Sequence, residues 1–137
     1  DDTVERLGEL GEKLGVIFQV KDDELGLFGD EKQIGKPLGS DIAENKKTIF
    51  RQYLFARAGA RERAELDTMF GAHSVTPDAV GRVRELIDRH DVRGAVYRLL
   101  DSWAEAARED IAALEVDTGA DVTKLGELLD YNLSRNS

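Results

Sequence analysis

Two adjacent aspartates, Asp22 and Asp23, sit in a stretch of helical character, and Lys36 and Lys46 follow on a glycine-rich segment. Carboxylates are the oxygen donors a hard cation prefers. Mg²⁺ typically takes one or two of them and leaves its other positions to water and substrate phosphates. Ammonium groups can neutralise the diphosphate oxygens that a metal leaves uncovered. Acids and lysines together are therefore a donor set for a Mg²⁺-bound diphosphate, with Asp22 the first candidate ligand. Taken alone, an Asp-Asp pair reads more readily as a solvated helix face, and each lysine as an ordinary surface residue.

The elements that must position these groups are legible in outline. From Thr3 to about Leu27, Leu7, Leu10, Leu14, Ile17, Phe18 and Leu25 recur at helical spacing. At ~100° per residue, Gln19, Asp22, Asp23 and Gly26 share one side of this helix, with Gly8, Gly11 and Gly15 above them. Val16 and Val20 add a third apolar side. The helix is thus expected to be buried nearly all round, and buried carboxylates must be paired or metal-bound. The glycine stripe offers either close packing by another helix or room for a ligand lying towards the aspartates. Between Leu27 and Lys47 the period disappears while Gly29, Gly35, Pro37 and Gly39 accumulate, so a loop with short helical turns is expected.

Downstream, Ile49 to Gly59 and a shorter segment ending at Gly71 restart helical faces. Thr76-Pro77-Asp78 is a helix start: a capping hydroxyl, a proline at the first position and an acid at the dipole's positive end. Val80, Val83, Leu86 and Ile87 form its apolar face. Asp91 can cap the next helix, whose stripe runs from Val96 through Trp103 to about Glu115. Val122, Leu125, Leu128, Leu129 and Leu133 make the last helix after a turn at 117–121. No strand alternation occurs, so the predicted class is all-α.

Composition sets the outer limits. The 137 residues suit one domain, with 41% hydrophobic and 34% charged content. A net charge of -9 argues against a nucleic-acid or anionic-membrane surface. Without cysteine there is no disulfide, thiolate metal site or thiol nucleophile. No apolar run spans a bilayer and no signal peptide is read, so the cytoplasm is the default expectation.

The stretch from Phe18 to Thr48 resembles the second aspartate-rich region of the trans-type polyprenyl diphosphate synthases, the farnesyl and geranylgeranyl type. The family pattern is Phe-Gln, two residues, Asp-Asp, then Gly-Lys-Pro, Gly-Ser-Asp and Lys-Lys-Thr. Phe18, Gln19, Asp22, Asp23, Gly35, Lys36, Pro37, Gly39, Ser40, Asp41, Lys46, Lys47 and Thr48 match it. The resemblance implies a helical bundle of the isoprenoid synthase type, of which residues 1–137 would be the C-terminal portion, the N-terminal portion being absent. It implies prenyl transfer between an allylic diphosphate and isopentenyl diphosphate, with Mg²⁺ ligated by Asp22 and supported by Asp23. Gln19, Lys36 and Lys46 would contact the allylic diphosphate, and Asp41 would stand behind them. It also implies a homodimer, completed by the missing N-terminal half or a partner chain, and this part alone is expected to be inactive. Gly26 replaces the third aspartate of many members, and Ala43 and Asn45 replace a common Arg and Gly, which leaves the loop geometry open. The competing readings are a non-catalytic partner that regulates a complete synthase, and a helical interaction module with surface acids. A terpene cyclase is disfavoured because its metal triad is not evident.

The remaining polar groups carry less. Asp1, Asp2 and Glu5 receive no role, His73 and His90 sit near helix ends as polar or capping groups, Arg57, Arg61 and Arg63 read as a solvated face, and Trp103 reads as core.

Overall fold

The computed structural model describes residues 2–28 and 39–134. Every regular element among the described residues is an α-helix: α1 (Thr3–Phe28), the single turn α2 (Ser40–Ala43), α3 (Ile49–Arg57), α4 (Ala60–Met69), α5 (Pro77–Arg89), α6 (Val92–Thr118) and α7 (Thr123–Ser134). None of them is long and apolar enough to cross a membrane.

Helix boundaries follow local chemistry. The Thr48 and Thr76 hydroxyls each accept an N–H of the first turn, from Arg51 and Ala79, both at 3.1 Å. Such a cap stabilises a helix by about 1 kcal/mol. Gly71, at φ +84°, takes the chain out of α4. Asp91 lays its carboxylate over the first turn of α6, where any side chain at Gly94 would collide with it. α6 overruns the expected end at Glu115 because nothing in Val116-Asp117-Thr118 breaks a helix. Gly119, at φ +68°, is the first residue free to leave it.

The chain divides into two compact units, one of Asp1–Lys21 with Tyr97–Arg135 and the other comprising Asp22–Val96. In the first, Leu10, Leu14 and Ile17 of α1 are buried, as are Leu100, Ala104, Ala107, Ile111 and Leu114 of α6 and Leu129 of α7. α7 also buries Asn132 and leaves Leu128 exposed, so its inward face lies to one side of the expected leucine stripe. In the second, Phe50 and Leu54 of α3, Leu66 of α4 and Val83, Leu86 and Ile87 of α5 are almost completely buried, and α3 packs on α5. A fully buried Leu or Phe contributes roughly 1.5–3 kcal/mol.

Two expectations fail for the same reason: an apolar period reports a preference, and covering it needs a neighbour. α1 is enclosed only towards its C-terminal end, where Val20, Lys21, Asp23, Glu24, Gly26 and Leu27 are buried. Earlier, Val4, Leu7, Val16 and Phe18 are exposed, from 42% to 80%. Nothing lies within 4 Å of where a side chain would begin at Gly8, Gly11 or Gly15, so no helix packs on that stripe among the described residues. Trp103 is half-exposed, lining with Val16, Glu9, Glu12 and Lys13 a recess of about 340 Å³.

Candidate functional site

The second unit brings together acids from α1 and a lysine from the turn after α2. Gly39 starts that turn at φ +85°, with Val80 Cγ2 2.8 Å from where a Cβ would stand, so only glycine fits. From there Asn45 N–H donates to Ile42 O (3.0 Å), Lys46 N–H to Asp41 O (3.0 Å) and Thr48 N–H to Lys46 O (2.9 Å). Lys46 is thus fixed at the backbone by three successive turn bonds, and its ammonium donates to Asp23 Oδ1 at 3.1 Å. Asp23 and Asp41 are buried at 5% and 3% exposure, while Asp22 is half-buried one position before Asp23.

Burying carboxylates is costly unless opposite charge or donors accompany them. The pKa of Lys46 reports that balance from the other side. Desolvation works against its ammonium, but the hydrogen bond and charge of Asp23, with the charges of Asp41 and Asp22, outweigh it and hold the pKa above the ordinary lysine value. Among the described residues, no three His, Cys, Asp or Glu side chains gather closely enough to cage an ion by themselves. Mg²⁺ does not need such a cage, because one or two carboxylates with phosphate and water complete its shell. The all-oxygen set of Asp22 and Asp23, one half-buried and one buried, fits that kind of centre.

The other expected site residues are placed differently. Gln19 is exposed on α1, three residues before Asp22 and in the other compact unit. Lys36, with Gly35 and Pro37, lies outside the described residues.

Several charged groups escaped the sequence reading. Glu24, one residue beyond Asp23, is buried and paired with Arg93 at 3.3 Å, and that guanidinium stacks 4.0 Å from the Phe28 ring centre. Arg84 donates to Leu27 O at 2.6 Å and so caps the end of α1. Arg57 is exposed, as are Arg61 and Arg63, in keeping with the solvated-face reading, but it also donates to His90 O (2.8 Å) and Asp91 O (3.1 Å) between α5 and α6. His90 keeps its expected place at a helix end, with Nε2 2.8 Å from Glu62 Oε1.

Comparison with known proteins places this arrangement in context. The family model described as Polyprenyl synthetase matches residues 1–87. A geranylgeranyl diphosphate synthase of Sulfolobus acidocaldarius is 53% identical over 131 residues, covering 96% of this chain and 38% of that protein. A geranylgeranyl diphosphate synthase of Saccharolobus solfataricus is 34% identical over 135 residues, covering 98% and 40%. Among solved structures, a polyprenyl synthase from Caulobacter crescentus, complexed with calcium and isoprenyl diphosphate, superposes with a TM-score of 0.79 at 33% identity, over 97% of this chain and 40% of that one. The chain thus spans about 40% of the length of these relatives.

Proposed function

Because the chain belongs to the polyprenyl synthetase family, we propose that residues 1–137 are the C-terminal portion of a single synthase domain that condenses isopentenyl diphosphate with an allylic diphosphate. The observation that carries this reading is the meeting of Asp23 with Lys46 beside Asp22 and Asp41, an oxygen donor set and a held cation side by side.

In this reading Asp22 holds Mg²⁺ and Asp23 supports it. The bound metal supplies Lewis-acid charge to the departing diphosphate. Lys46, with Lys36 and Gln19, contacts the allylic diphosphate, and Asp41 keeps the Lys46 turn in place. The allylic C–O bond breaks, the electron pair leaves with diphosphate, and the double bond of isopentenyl diphosphate attacks the resulting cation. The product then loses a proton to the released diphosphate. The protein's contribution is preorganised electrostatics, and none of the named side chains exchanges a proton with substrate. The preceding part of the domain, or a partner chain, supplies the remaining substrate contacts, and the complete enzyme is a cytoplasmic homodimer.

The test is Asp22→Ala in the complete protein, with Mg²⁺-dependent condensation followed by product formation. A large loss of turnover with retained folding is expected. Unchanged turnover would favour a non-catalytic helical partner in which these acids serve only structure.

A further inference from the structure

Asn45, the residue before Lys46, has φ +53°, the left-handed region that most side chains avoid and Asn tolerates best after Gly. Its conformation is held from outside the turn. Arg51 Nε donates to Asn45 Oδ1 at 2.8 Å. Arg51 is anchored in turn, because its backbone N–H caps onto Thr48 and its guanidinium lies 4.2 Å from the Phe55 ring centre and 5.5 Å from that of Phe70. Those two rings meet edge to face, 5.4 Å apart. On its other side Asn45 packs on Gly71, where an added Cβ would stand 3.5 Å from Asn45 Cβ, and Gly71 N–H donates to Ile42 O at 2.8 Å. Parts of α3 and the end of α4 therefore converge on one left-handed residue, and Lys46 follows it directly.

We propose that Arg51 is a positioning residue for Lys46: by holding Asn45 in the left-handed turn it aims the Lys46 ammonium at Asp23. The proposal rests on the reading of Lys46 as a diphosphate contact. Cation–π stacking on Phe55 and Phe70 leaves Arg51 only its edge donors for Asn45, so the clamp is directional in a way a loose surface arginine would not be.

Calorimetric titration of the complete protein with inorganic diphosphate in excess Mg²⁺ tests it. Lys46→Ala should weaken binding, Arg51→Ala should weaken it about tenfold, and the double variant should bind no more weakly than Lys46→Ala alone. Adding Asn45→Gly to Arg51→Ala should restore affinity, since glycine adopts the left-handed conformation unaided. Arg51→Ala that binds as tightly as the unsubstituted protein, while Lys46→Ala does not, overturns the positioning role alone. Losses that add in the double variant also overturn it, because Arg51 would then be touching the diphosphate itself. A neutral Lys46→Ala, or no saturable binding by the unsubstituted protein, removes the functional reading and the positioning role together. Should Arg51→Ala not fold, Asn45→Ala, which deletes the acceptor and spares the stack, is compared with Asn45→Gly in the same titration.

Discussion

The Lys46 ammonium and the Asp23 carboxylate are joined at 3.1 Å across 23 residues of chain. On the proposed reading, the cation offered to a diphosphate is therefore already engaged by one of the two acids assigned to the metal. The pair ties stability to pH. Because the folded-state pKa of Lys46 is raised, its contribution is fully present below the unfolded value of ~10.4 and is lost as pH rises through the folded value. Lys46→Met should lower the urea midpoint at pH 8 and leave a difference that shrinks at pH 11. The Lys46 side chain is 37% exposed, so solvent screening limits the effect to about 1 kcal/mol. An undiminished difference at pH 11 would show that the charge pair is not its source.

The two aspartates should not be equivalent in the complete protein. Asp22→Ala is expected to cost about 10²–10³ in Mg²⁺-dependent turnover. Asp23→Ala should act mainly on the Mg²⁺ concentration needed, by about 10–100-fold, as outer supports of metal sites do. Steady-state rates over a Mg²⁺ series would separate the two, and equal effects would contradict the assignment of Asp22 as direct ligand.

The acid limb of stability should run through Glu62. The Gly59 N–H at 3.0 Å, then His90 and Arg89, hold its carboxyl at about 2. A depressed carboxyl stabilises the fold above its unfolded value of ~4.3. That stabilisation fades as pH falls from there towards about 2. Thermal unfolding at pH 5, 3 and 2 should show a shallower decline for Glu62→Gln than for the unsubstituted protein. Parallel declines would place the acid sensitivity elsewhere.

Loss of the Thr76 cap should destabilise by about 1 kcal/mol. Thr76→Ala, followed by urea unfolding, measures it. Thr76→Ser, which keeps the oxygen accepting from Ala79 N–H, should recover most of the loss.

What could be read from the sequence divides along physical lines. Thr76-Pro77-Asp78 announced α5 because capping is a matter of adjacent residues. Asp22, Asp23 and Lys46 were legible as donor types at a spacing, but the bond between Asp23 and Lys46 depends on backbone angles at Gly39 and Asn45. Asn45 looked like a departure from a glycine pattern, and the structure shows it taking the left-handed conformation with Arg51 as support. Arg57, Arg84 and Arg93 were illegible because their partners lie 33, 57 and 69 residues away and two of the three accept through backbone carbonyls, which sequence does not distinguish. The period of α1 marked apolar faces correctly and overstated their burial.

The open glycine stripe of α1 gives the molecule a built-in reporter. Alanine at Gly8, Gly11 or Gly15 meets nothing among the described residues, so each should stiffen the helix by roughly 0.5–1 kcal/mol in this chain. The same methyl groups become obstructions the moment anything is seated against that face. The sign of an alanine substitution there, stabilising in isolation and harmful in company, would tell an occupied surface from a bare one without the occupant being known beforehand.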